Sequence, residues 1–182
     1  MAKEWGEPEW CKGYGVRNTH LLALAPNTSS ALICQAVSQG IEPIVANSYN
    51  QPTSAGEITR LNPVFLKFAT DKGMMSEELL KSIDDNEGSV QHIEWMTDHE
   101  KLVFKTAYEI NQKTIIRLAA ARQQFVCQGQ SLNLFFDADE SEEYIMEVHQ
   151  EAFENPNIKG IYYMRTAAGV KASSGECIAC EG

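Results

Sequence analysis

The sequence predicts an α/β fold, on three observations. Near the C-terminus a strand pattern, a helix pattern and a second strand pattern follow one another within about 35 residues. Capped helical patterns occupy the middle of the chain. Hydrophobic residues make up 43% of the sequence, enough to build a packed core. A strand–helix–strand unit lays its two strands parallel, so a parallel sheet covered by helices is the expected architecture.

Each element has its own signal. Residues 1–17, rich in Gly, Pro, Glu and Trp, form an irregular lead-in. Leu21–Ala25 is a short apolar run closed by Pro26, and its length favours a strand. Asn27, Thr28, Ser29 and Ser30 then precede Ala31–Val37, the pattern of small polar residues at a helix start, with Gly40 as the stop. Residues 41–62 carry Pro, Gly and β-prone residues and are expected to be irregular with short strands. Ser76 opens a short helix with Glu77 and Glu78 in its first turn, where the helix dipole favours acids, and Asp84–Gly88 is a turn.

Thr97-Asp98-His99-Glu100 is a capping box, and the helical pattern behind it extends to about Phe125. Leu102, Val103, Ala107, Ile110, Thr114 and Leu118 are its expected core-facing stripe. The closing unit is a strand over Gln130–Phe136, a helix capped by Ser141 and running to Phe153, a break at Asn155-Pro156-Asn157, and a strand over Lys159–Arg165. With no internal repeat, residues 1–165 are expected to form one body. Residues 166–182, rich in Ala, Gly and Ser, are expected to be a flexible tail.

Composition excludes several function classes. Fifteen basic residues against 25 acidic ones give a net charge of −10, a surface that repels phosphate backbones, so nucleic-acid binding is not expected. The charged N-terminus is no secretory signal, and no run approaches the roughly 20 apolar residues of a membrane span. A soluble cytoplasmic protein is expected. Five cysteines, an odd number, argue against a structural disulfide framework.

Three features can carry chemistry. Cys177-Ile178-Ala179-Cys180 is a Cys-x-x-Cys on the tail, able to form a reversible disulfide, to supply half of a metal site, or to be an incidental pair. The four histidines show no ligand spacing that would complete such a site. Asn27, Thr28, Ser29 and Ser30 place hydroxyls and N–H groups at a helix start, which suits a phosphate and equally suits plain capping. Tyr162 and Tyr163 are adjacent in a strand, where one ring should face the core and the other a groove or solvent.

The combination is more specific than its parts. Gly15-Val16-Arg17-Asn18, Leu24-Ala25-Pro26-Asn27-Thr28-Ser29-Ser30, Gly40-Ile41-Glu42-Pro43, Gly56-Glu57 and Asn62-Pro63 occur in one order, followed by Gln130-Ser131-Leu132-Asn133 and Tyr162-Tyr163-Met164-Arg165-Thr166. Together with the terminal Cys pair, this series resembles the C-terminal part of class I ribonucleotide reductase large subunits across essentially the whole chain.

The resemblance implies the last strands and helices of a ten-stranded α/β barrel with a flexible redox-active tail. It implies that Asn27, Thr28, Ser29 and Ser30 hold the diphosphate of a nucleoside diphosphate substrate. It assigns Tyr162 and Tyr163 to relaying an oxidising equivalent, and Cys177 and Cys180 to re-reducing the active site before thioredoxin or glutaredoxin reduces them in turn. The implied enzyme is a ribonucleoside-diphosphate reductase. No cofactor is expected on this chain itself, because the radical and metal cofactor would reside in a separate small subunit. The family's thiyl-forming Cys and its reducing Cys pair precede this region, so the chain is expected to be either a fragment or, preferably, a phage-like split subunit with an N-terminal chain as partner. Tyr163 to Cys177 is 14 residues, at most about 50 Å extended. The rival expectation is a stand-alone thiol redox or binding module using the Cys-x-x-Cys.

Overall fold

The computed structural model describes residues 1–34, 37–53 and 56–166. The elements are α1 (Ala2–Trp5), a 3₁₀ turn (Glu9–Cys11), α2 (Thr28–Ile33), β1 (Ser48–Thr53), β2 (Gly56–Leu61), α3 (Pro63–Asp71), α4 (Glu77–Asp85), α5 (Asp98–Val103), α6 (Gln112–Gln123), β3 (Leu134–Phe136), α7 (Glu142–Glu154) and β4 (Met164–Thr166). Strands β1 and β2 pair antiparallel, Ser48 opposite Leu61, whereas β3 and β4 pair parallel, Leu134 opposite Met164.

Local side-chain bonds set most helix starts. Ser76 accepts from Leu79 N–H and Ser141 from Tyr144 N–H, as the sequence predicts, and Thr97 and Glu100 close the capping box. Helix α3 has the same kind of start without having been expected. Asn62 accepts from Val64 N–H at 3.0 Å and Phe65 N–H at 3.4 Å, and Pro63 fills the first helical position.

Two hydrophobic cores divide the described residues. In the first, Phe65 and Ala69 of α3 meet Leu79 and Ile83 of α4, with Val90, Ile93, Met96 and Phe104. Two of its aromatic members, Phe65 and Phe104, touch edge to face with centroids 5.2 Å apart. A buried amide relay ties this core to β1: Asn62 Nδ2 donates to Asn47 Oδ1 (2.9 Å), and Asn47 Nδ2 donates to Gly88 O (3.2 Å) and Phe104 O (2.8 Å). Gly88 has φ 80°, and a Cβ there would collide with Ala46, so the turn after α4 packs backbone against backbone. The second core joins Ile115, Ile116 and Ala119 of α6 to Leu132, to β3, and to Val148 and Ala152 of α7.

The division explains one correction. The single helix expected over residues 97–125 is two, because Phe104 belongs to the first core and Ile116 to the second. Between them Glu109 accepts from Thr106 N–H (2.8 Å) and from Ser89 Oγ (2.6 Å), and Asn111 caps α6 afresh. The expected stripe changes accordingly. Leu102, Val103 and Leu118 are exposed, while Ile115, Ile116, Ala119 and Ala120 are buried.

The parallel unit is present with shorter strands than expected. Leu24 bridges Gln130 in parallel, and Ser131 N–H donates to Leu24 O at 2.8 Å. On the opposite edge of the same segment, Tyr162 N–H donates to Leu132 O (2.8 Å) and Leu134 N–H to Tyr163 O (2.9 Å). Residues 128–136 therefore run between two parallel neighbours, 22–24 and 162–166, and α7 makes the crossover. The run Leu21–Ala25 contributes that one bridge rather than a strand. Helix α2 starts at Thr28, three residues earlier than Ala31, and ends at Ile33.

Candidate functional site

The loop into α2 is held from both sides. Asn27 N–H donates to Gln39 O (2.8 Å), Thr28 Oγ1 donates to Gln39 Oε1 (3.2 Å), and Ser30 Oγ donates to Asn27 O (3.3 Å). Asn27 does not cap with its side chain, which donates to Ala25 O at 2.9 Å. The structure thus brings Asn27, Thr28, Ser29 and Ser30 into one turn at the positive end of a short helix. Asn27, Ser29 and Ser30 are exposed and Thr28 is half-buried.

Sequence reasoning missed the residue that anchors this loop to the sheet. Glu42 is buried, and its Oε1 accepts from Asn133 N–H at 2.6 Å. Its carbonyl accepts from Ser38 Oγ at 2.5 Å. Burial draws the Arg122 guanidinium below its usual value and the Glu42 charge opposes that. The available signal was a carboxylate set between Ile41 and Pro43 in an apolar context.

The tyrosines overturn the expectation of opposite faces. Their ring centroids are 4.2 Å apart at 58°, with Tyr162 50% and Tyr163 41% exposed. The cause is a break in the ladder. In a regular parallel pair, Leu132 O and Leu134 N–H would bond one and the same residue. Here they bond Tyr162 N–H and Tyr163 O, and Leu134 pairs with Met164. One extra residue therefore stands ahead of β4, a bulge that turns both rings to the same side. The Tyr162 phenol is held above its ordinary range, first by its hydrogen bond with Tyr163 and then by the charge Tyr163 would carry, while Arg165 opposes. The Arg165 guanidinium lies over the Tyr163 ring, 5.0 Å from its centroid.

A cleft of about 370 Å³ is lined by residues 23–25, 128–131 and 159–162, Tyr162 among them. At its rim Lys159 Nζ donates to Cys127 O at 2.7 Å. Cys127 is less isolated than its sequence position suggested. Its Sγ accepts from Leu21 N–H (3.0 Å) and Leu22 N–H (3.1 Å), and these bonds, Leu22's foremost, hold the thiol below its usual range. Cys177 and Cys180 lie outside the described residues.

Comparison with known proteins gives a consistent picture. The model of the ribonucleotide reductase barrel domain matches residues 2–164. A Frog virus 3 protein named as a ribonucleoside-diphosphate reductase large subunit is 42% identical over 193 residues, covering 100% of this chain and 34% of its own length. The large subunit of Danio rerio is 37% identical over 155 residues, covering 85% of the chain and 19% of itself. Among solved structures, the Actinobacillus ureae class Id ribonucleotide reductase alpha subunit superposes with a TM-score of 0.76 at 36% identity. It covers 99% of this chain and 31% of that one. The chain thus spans about a third or less of the length of these relatives.

Proposed function

The chain belongs to the ribonucleotide reductase barrel-domain family, and from that premise we propose that it works as the C-terminal part of a ribonucleoside-diphosphate reductase large subunit. In this reading it reduces ribonucleoside diphosphates to their deoxy forms together with the remainder of the large subunit and a radical-generating small subunit. The observation that carries the reading is the cleft lined by Ala23–Ala25, the residues just before the turn, and by Tyr162. One wall, residues 23–25, leads directly into the Pro26–Ser30 turn, and the opposite wall ends in Tyr162.

Each part has a chemical task. The hydroxyls and N–H groups of Asn27, Thr28, Ser29 and Ser30 hold the diphosphate, with Gln39 and Glu42 keeping the turn in place. Tyr162 and Tyr163 pass the oxidising equivalent, each phenol giving up one electron and one proton and remaining in place. Cys177 and Cys180 return reducing equivalents by thiol–disulfide exchange, and thioredoxin or glutaredoxin restores them. The metal and radical cofactor belongs to the small subunit. A cytoplasmic location follows from those thiol reductants, and no helix among the described residues is long and apolar enough to cross a membrane.

The test is reconstitution. The purified chain is mixed with the remaining large-subunit segment and the small subunit, and CDP reduction is measured. Turnover in the full mixture, and in no partial one, is the expected result. Lack of turnover in every combination would overturn the proposal.

A further inference from the structure

We propose that Arg165 is a positioning residue that biases the tyrosine pair, favouring the oxidised state on Tyr162 over Tyr163. For its functional half this rests on the relay reading above. Its structural half is independent. Arg165 sits in β4 with its backbone paired to Phe135, so the base of its side chain is fixed. From there its guanidinium carbon stands 5.0 Å from the Tyr163 centroid, while the same ring has Tyr162 at 4.2 Å.

A guanidinium carries its charge at every working pH and is attracted to an electron-rich aromatic face. A phenoxyl radical has lost an electron from that ring system and attracts a cation less. The contact therefore stabilises Tyr163 as phenol more than as radical. Within the relay, an oxidising equivalent shared by the pair is thus pushed from Tyr163 toward Tyr162.

The Tyr162 O–H bond breaks and a Tyr163 O–H bond forms, with one electron and one proton passing from Tyr162 to Tyr163. No net charge is created. The two rings stand 4.2 Å apart between centroids, so the proton has only a short path to travel, and the Tyr163 hydroxyl holds the Tyr162 phenol above its ordinary range. The same guanidinium also acts on Tyr108, whose phenol is pushed up chiefly by burial. Arg165 therefore sets the charge of this corner rather than of one ring.

The experiment uses the assembled reductase with 3-aminotyrosine at position 162 or 163, reading trapped radical by electron paramagnetic resonance. In Arg165→Gln the ratio of radical at 163 to radical at 162 should rise about fivefold, turnover should fall by a similar factor, and KM should hold. Arg165→Lys should retain part of the bias. Circular dichroism confirms that both variants fold. An unchanged ratio with lowered turnover would reduce Arg165 to a purely structural role and overturn the proposal. Radical trapped at neither position in the chain with Arg165 intact means the relay reading itself has failed, and the proposal with it.

Discussion

The two cores of this chain are built on different terms. Around α3 and α4, side chains close on one another: Phe65 and Phe104 meet edge to face, and the buried Asn62 bonds to Asn47, which in turn donates to Gly88 O and Phe104 O. Around β3 and β4, the core supports a surface that is deliberately incomplete. Its parallel ladder is interrupted ahead of β4, and both tyrosines of the pair are about half exposed. The first region is where the chain holds its shape, and the second is where irregular backbone and exposed polar groups gather. Stability and chemistry should therefore separate under mutation.

Tyr162→Phe or Tyr163→Phe gives the largest expected effect. Turnover of the reconstituted enzyme should fall to background while assembly, read by size-exclusion chromatography, is unchanged. Each variant removes only a hydroxyl from an exposed ring. Surviving turnover would mean that the pair is not a relay.

Asn47→Ala should do the reverse. It strips the partners from Phe104 O and Asn62 Nδ2 at a fully buried position, while Gly88 O keeps the Asn47 backbone N–H. A loss of about 2–4 kcal/mol in urea unfolding is expected, with residual folded protein keeping its activity per molecule. A loss of activity per folded molecule would break the division between the two regions.

Glu42→Gln is the smallest and the most informative, because Glu42 ties the segment behind the Asn27–Ser30 turn to the parallel sheet. The amide can still accept from Asn133 N–H but loses the charge. KM for the diphosphate should rise about fivefold, equivalent to about 1 kcal/mol, with kcat little changed. An unaltered KM would detach Glu42 from the diphosphate turn.

What could be read in the sequence follows from how local each cause is. Ser76, Thr97 and Ser141 bond to N–H groups three residues away, so their helix starts were legible. Asn62-Pro63 carried the same kind of signal and was read only as part of a family signature. The break after α5 was not legible, because it depends on Phe104 and Ile116 entering different cores. The residue types at Asn27–Ser30 signal a helix start, which lies at Thr28, three residues before Ala31, while the anchor Glu42 acts through Asn133, 91 residues on. The common face of Tyr162 and Tyr163 depends on which residue of 128–136 each one bonds, and no alternation rule carries that information.

The extra residue ahead of β4 has a consequence for how this stretch can change. Faces along a strand follow parity, odd positions one way and even the other, and the bulge switches that parity once, just before Met164. Deleting a single residue between Gly160 and Met164 would restore the even count and send one aromatic ring to the far side of the sheet. Two compensating changes, one on each side of the bulge, would leave the faces as they are. Length here is therefore constrained by counting, whatever residue types fill the positions.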